Sequence, residues 1–243
     1  NATELNALDG FIVLTATSNI GLGANAVNSI TTGDYNIGLG DDAGTAITEG
    51  HRNVLLGWET GKAITTGSNN IAIGKQALLL NVTGGGNVAI GNAALDANTA
   101  SYNVGIGYNA LSANSSGDTN TAIGTNSLDA NTTANSNTAI GYDSLSANTT
   151  GANNTAVGRD SLLANTTGAD NAAVGYRSLL ANTTGADNTA IGRDSLGSNT
   201  TASNNTAVGG AALLTNSTGT QNTAVGQSAL RLNTTADNNT AVG

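Results

Sequence analysis

An asparagine returns every seventeen residues through nearly the whole chain: Asn19, Asn36, Asn53, Asn70 and Asn87, then Asn103, Asn120, Asn137, Asn154, Asn171, Asn188, Asn205, Asn222 and Asn239. Only the step from Asn87 to Asn103 is sixteen, one residue having dropped from the segment DANTASY, where a loop tolerates a deletion. A unit this short cannot enclose a core of its own. Copies of it must stack, so the length of the chain measures distance along an axis rather than a number of domains.

Counting the recurrent Asn as position 1, the consensus continues Thr/Val/Ile, Ala/Gly, Ile/Val/Leu, Gly, two variable residues, Ser/Ala and Leu, then two more variable residues, Asn-Thr-Thr-Gly and two linkers. Positions 2 and 4 are β-branched and alternate with small residues, the period of a strand. Leu at position 9, from Leu78 to Leu230, suits a second, shorter strand or a bend. A helix over SLLANTT is disfavoured by the Gly and the Thr pair, and seventeen residues cannot hold a helix, a strand and two turns. The expected fold is therefore all-β: a parallel β-solenoid, β-roll or β-helix, of seventeen-residue coils. It covers residues 19–243 as thirteen full repeats and a partial one, rising about 4.8 Å per coil to roughly 65 Å. The Asn column is expected to form an amide ladder, and the Gly at position 5 to sit at a turn or where another backbone comes close.

Positions 2, 4 and 9 are expected to fill the coil. Position 12 is Ile30, Ile47 and Ile64 before becoming Asn81 and its successors, and position 2 changes from Ile or Val to Thr in the same direction, so the first third is expected to have the fatter core. A late coil then buries one Leu and one Val or Ile, little against the entropy of ordering seventeen residues. Small residues at position 3 are expected to let three copies approach a shared axis, giving a homotrimer.

Composition excludes several functions. With 16 acidic residues against seven Lys and Arg the chain carries a net charge of −9, the wrong sign for a nucleic-acid surface. It has no Cys, hence no disulfide, thiolate ligand or thiol nucleophile, and no cofactor is expected. No apolar run reaches membrane-spanning length, so no membrane insertion is expected. Polar low complexity raises the possibility of disorder, but disordered chains lack a strict apolar rhythm. The first residue is not Met, no signal peptide is recognisable, and Gly243 lies five residues into a further repeat, so the array is expected to continue.

Residues 1–18 stand outside the repeat as a connector or cap: an entry over 3–8, a turn at Asp9-Gly10 and an entry strand over 11–15. The phrase ATELNALDG resembles a connector of bacteriophage tail fibres. The Asn-Thr-Ala-Val/Ile-Gly motif followed by Ala/Ser-Leu, as at Asn120–Gly124 and Asn188–Gly192, resembles the head repeat of trimeric autotransporter adhesins, the YadA-like left-handed parallel β-roll. Similar seventeen-residue units occur in trimeric phage fibres. Both resemblances imply a non-enzymatic, extracellular or virion-surface rod for attachment, with a cell-surface glycan or protein as receptor. The Asn-Thr-Thr-Gly loop lengthens each unit beyond the adhesin repeat and leaves its handedness open.

Candidate surface contacts are Trp58, Tyr108, Tyr142, Arg159, Tyr176 and Arg193, which the period places in one column, with Arg177 and Asp143, Asp160 and Asp194 beside it. Asn131, Asn148, Asn165, Asn182, Asn199 and Asn233, with Asn114 and Asn216 in Ser versions, are acceptor sequons that a glycosylating host would turn into a sugar-coated filament. The Thr pairs at positions 13 and 14 could instead form an ice-binding array, although adjacent residues point to opposite faces. His51, the sole histidine, lacks triad or ligand partners and is expected at the surface. Asp118, Asp170, Asp187 and Asp237, one per coil, do not make a calcium loop. Asp41, Asp42, Glu49 and Glu59 are the carboxylates from which a glycosidase pair could be drawn, beside Trp58.

Overall fold

The computed structural model describes Phe11–Ile12 and residues 18–243. The chain divides into two compact units, Asn1–Thr119 and Asn120–Gly243. The first contains β1 (Phe11–Ile12), β2 (Ile20–Leu22), β3 (Ile37–Leu39), β4 (Val54–Leu56), β5 (Ile71–Ile73), β6 (Val88–Ile90) and β7 (Val104–Ile106). The second contains β8 (Thr121–Ile123), β9 (Thr138–Ile140), β10 (Thr155–Val157), β11 (Ala172–Val174), β12 (Thr189–Ile191), β13 (Thr206–Val208), β14 (Thr223–Val225) and β15 (Thr240–Val242). Within each unit successive coils pair in parallel and in register, Thr155 opposite Ala172 and Val157 opposite Val174, so each unit is a parallel β-solenoid of about seventeen residues per turn. β1 runs antiparallel to β2 and is the described part of the expected entry strand. The entry over 3–8, the turn at residues 9–10 and residues 13–15 lie outside the described residues.

Each coil holds one three-residue strand, at positions 2–4, and the remainder is turn. Leu at position 9 is a bend and not a second strand: Leu162 has φ 51° and Leu179 49°, the left-handed region. Position 7 shares that region, as in Asp160 at 57°, and so does position 17, as in Asp170 at 57°. Asn and Asp tolerate it. Leu does not, at about 1–2 kcal/mol, and its side chain must recover that cost by burial. Main-chain bonds join coils around the whole perimeter: Leu162 N–H donates to Ser178 O at 3.0 Å, Thr166 N–H to Thr183 O at 2.9 Å and Asp170 N–H to Ala152 O at 3.1 Å. These bonds satisfy backbone that the turns would otherwise leave unpaired.

The strand faces the other way from the sequence expectation. Ala156, Ala173 and Ala190 at position 3 are fully buried, while the β-branched residues at positions 2 and 4 point outward. The interior is narrow and already occupied by Leu162 and the buried amides Asn154 and Asn165, leaving room for only a methyl on the strand. Position 3 is therefore core and cannot be the close-approach face of a trimer.

The early coils are not fatter; their bulk is redistributed. Where position 12 is Ile47 or Ile64, position 9 is Gly44 or Gly61, and Leu55 at position 3 fills the space between them. A Cβ on Gly44 would lie 2.6 Å from Leu55 Cδ1 and 2.9 Å from Ile47 Cδ1. Later coils combine Leu at position 9 with Asn at position 12, which conserves interior volume.

Where position 12 is Asn, two amide ladders run up the coil wall. Asn154 donates from Nδ2 to Asn137 Oδ1 (3.2 Å) and to Gly168 O (2.8 Å), while its Oδ1 accepts Asn171 N–H and Nδ2, each at 3.1 Å. Asn165 at position 12 donates to Asn148 Oδ1 (2.8 Å) and to the same Gly168 O (2.9 Å). The carbonyl at position 15 thus receives both ladders.

The sixteen-residue coil interrupts the second ladder. Asn98 Nδ2 reaches Ala100 O two residues on instead of three, and Asn81 Oδ1 below it is buried without a partner. Inserting a Thr between Thr99 and Ala100 recreates the NTTA loop of Asn131–Ala134. It is expected to restore the missing bond and stabilise the first unit by about 1–2 kcal/mol, read as a rise in its thermal midpoint. A loss of stability would show that the short loop is the relaxed one.

Candidate functional site

Three outward features remain once ladder and core are accounted for. The first is the strand face. In the second unit Thr121, Thr138, Thr155, Thr189, Thr206 and Thr223 form its position-2 column, with Ala172 between. Ile140, Val174, Ile191 and Val225 on the position-4 column are 37–42% exposed. The first unit carries the same face in more apolar form, with Ile20, Leu22, Leu39 and Ile71 exposed.

The second feature is the stripe of positions 6 and 7. In the second unit it brings together Tyr142, Arg159, Tyr176 and Arg193, as the period implied. Arg159 lies over the Tyr142 ring at 5.5 Å and pairs with Asp160 at 3.3 Å. Arg177 lies over Tyr176 at 5.9 Å and reaches Asp194 at 3.9 Å, and Arg193 reaches the same carboxylate at 3.5 Å.

The first unit has its own version of the stripe, with Trp58 and Tyr108, both exposed, in the position-6 column. Lys75 stands 5.1 Å over the Trp58 ring. Beside it Lys62 pairs with Glu59 at 2.7 Å and with Asp42 at 3.3 Å, Gln76 donates to Glu59, and Asn25 to Asp42. Hydrogen bonds from Asn25 and then Lys62 hold the Asp42 carboxyl below its ordinary range; those from Lys62 and Gln76 do the same for Glu59, and the two carboxylates raise Lys62. Of the four carboxylates from which a glycosidase pair could be drawn, Asp42 and Glu59 are thus tied to one ammonium and Asp41 accepts the Ala24 N–H.

The third feature is the Thr rim. Position 13 does not offer free hydroxyls, since Thr149 donates to Thr166 O and Thr166 to Thr183 O at 3.1 and 3.0 Å. Only position 14, for example Thr150, Thr167 and Thr184, is exposed.

One expectation is corrected by burial. The sequon asparagines Asn114, Asn131, Asn148, Asn165, Asn182, Asn199 and Asn216 are fully buried at position 12 with Nδ2 committed to the ladder; Asn233 is partly buried and bonds Asn216 Oδ1. A glycan on Nδ2 is incompatible with that packing, which removes the glycosylated-filament reading for the folded coil. His51 is half-buried; its Nδ1 accepts Asp34 N–H at 2.9 Å and its backbone N–H donates to Ser68 Oγ, linking three coils.

Asp96 and Asp129, half-buried at position 10, are shifted upward chiefly by desolvation, and the neighbouring Asp143 adds to the shift of Asp129. Among the described residues no group of three or more His, Cys, Asp or Glu is placed to hold a metal, and no helix is long and apolar enough to cross a membrane. No family model, curated protein or solved structure matches the chain.

Proposed function

We propose that this chain is a non-enzymatic segment of an extracellular or virion-surface fibre, self-associated as a homotrimer and serving attachment to a cell surface in the manner of a phage tail-fibre stalk. The alternative within the same class is the head of a bacterial trimeric autotransporter-type adhesin. The observation that carries the reading is the outward strand face. Its β-branched columns point away from the coil's own core, and in the second unit Ile140, Val174, Ile191 and Val225 stay exposed in one row, the kind of contiguous apolar surface that marks an interaction site. The face is two columns wide. In a threefold assembly the position-2 column meets one neighbour and the position-4 column the other, a heterologous contact that closes. The side chains with chemical potential, His51, Asp42 and Glu59, are spent on bonds between coils.

Sedimentation of the purified chain is expected to give three times its 23.7 kDa mass. Val157→Lys with Val174→Lys is expected to yield a monomer with an unchanged far-ultraviolet spectrum, because neither side chain lies in the coil interior. A wild-type monomer at micromolar concentration would overturn the reading. A second reading draws on the Thr column of that face, whose hydroxyls and methyls repeat at the strand spacing of about 4.8 Å: an ice-binding solenoid. A wild-type monomer showing thermal hysteresis would select it.

A further inference from the structure

The geometry points to the position-6 and position-7 stripe of the second unit as a binding surface for an extended, neutral, β-linked oligosaccharide lying along the coil axis. The inference deepens the attachment reading and rests on it. Tyr142 and Tyr176 occupy the same column two coils apart and are 49% and 43% exposed, so each leaves a large part of its aromatic side chain to solvent. Arg159 and Arg193 alternate with them, their side chains 64% and 76% exposed. Coils stack at about 4.8 Å, close to the advance of one pyranose in an extended β-linked chain. Successive sugars would therefore meet aromatic and guanidinium groups in alternation.

The charge balance selects the class of ligand. Arg159, Arg177 and Arg193 are matched by Asp143, Asp160 and Asp194, so the stripe has no net field to draw in a polyanion. It offers instead what a polyol needs: ring surface for C–H faces, and carboxylate and guanidinium groups that can bridge neighbouring hydroxyls. These groups are already held. Arg159 is fixed between the Tyr142 ring and Asp160, and Asp194 is ion-paired with both Arg177 and Arg193, which lowers the entropy lost on binding. Trp58 with Lys75 repeats the aromatic–cation pairing at position 6 in the first unit.

The test uses the full chain with cellohexaose, chitohexaose and β-mannohexaose, and hyaluronan octasaccharide as the polyanion. Calorimetry and saturation-transfer NMR are expected to detect at least one neutral hexaose, with little dependence on salt. Tyr142→Ala with Tyr176→Ala is expected to weaken it about tenfold or more, while the double Phe variant keeps most of the affinity. No binding of any neutral hexaose at millimolar concentration, binding of hyaluronan alone, or equal binding by the double Ala variant would each overturn the proposal. Cell adhesion separates it from the attachment reading. Adhesion that survives the double Ala variant sinks the glycan site and leaves attachment standing; hexaose binding without adhesion does the reverse.

Discussion

Replacing Gly158 by Ala is expected to destabilise the second unit by about 3 kcal/mol or more, while Gly210→Ala, one methyl added fifty-two residues away, is expected to be neutral or slightly stabilising. Gly158 has φ +132°, a conformation open essentially to Gly alone, and its added Cβ would stand 2.5 Å from Gly175 O and 2.7 Å from Gly175 C. The obstacle is the backbone of the next coil, which carries the same Gly in the same conformation, so it cannot yield without breaking the bond from Gly175 N–H to Val157 O at 2.8 Å. Gly210, at position 6 of its coil, has nothing within 4 Å of its would-be Cβ and an ordinary backbone. There the gain is the reduced freedom of the unfolded chain. Urea unfolding of the two variants measures the contrast. Similar midpoints for both would mean that the Gly column is not where coils touch most closely.

That column was readable in the sequence, as were the coil length, the parallel register and the Asn ladder, because each repeats with the period and repetition reports register directly. Inside and outside were harder. Alternation shows that Thr155 and Val157 share one face and Ala156 the other, but not which face is buried. The usual preference for large apolar residues inside gave the wrong answer here, because the interior is filled by Leu162 from a left-handed bend. A sequence signal did exist: Gly44 and Gly61 appear at position 9 only where Ile47 and Ile64 appear at position 12, a volume exchange that places both positions in one interior. The sequons misled for a related reason. Asn-Thr-Thr is a local pattern, whereas the exposure of Asn148 or Asn165 depends on neighbouring coils. The stripe from Tyr142 to Arg193 was visible in advance because only its column membership was needed, and the period supplies that.

The ladder predicts a second large effect from a change of one atom. Asn154→Asp keeps the shape of the side chain but turns Nδ2, which donates to Gly168 O and Asn137 Oδ1, into an acceptor facing two acceptors. The side chain is fully buried, so at pH 7 the substitution leaves an unpaired charge inside the coil, worth about 3–5 kcal/mol, beside two orphaned oxygens. Burial raises the folded pKa of the new carboxyl above its unfolded value of about 3.9. The penalty is therefore full above the folded pKa and shrinks as pH falls through it, when the protonated group can again donate to Gly168 O. Asn154→Ala, which removes donors and acceptor together, is expected to cost less than Asp at pH 7 and to show no such pH dependence. Because each coil contacts chiefly its neighbours, hydrogen exchange should rise first at Asn171 and in the coils flanking residues 137 and 171. An Asp variant as stable as wild type at pH 7 would mean that the backbone bonds between coils, and not the amides, hold the stack in register.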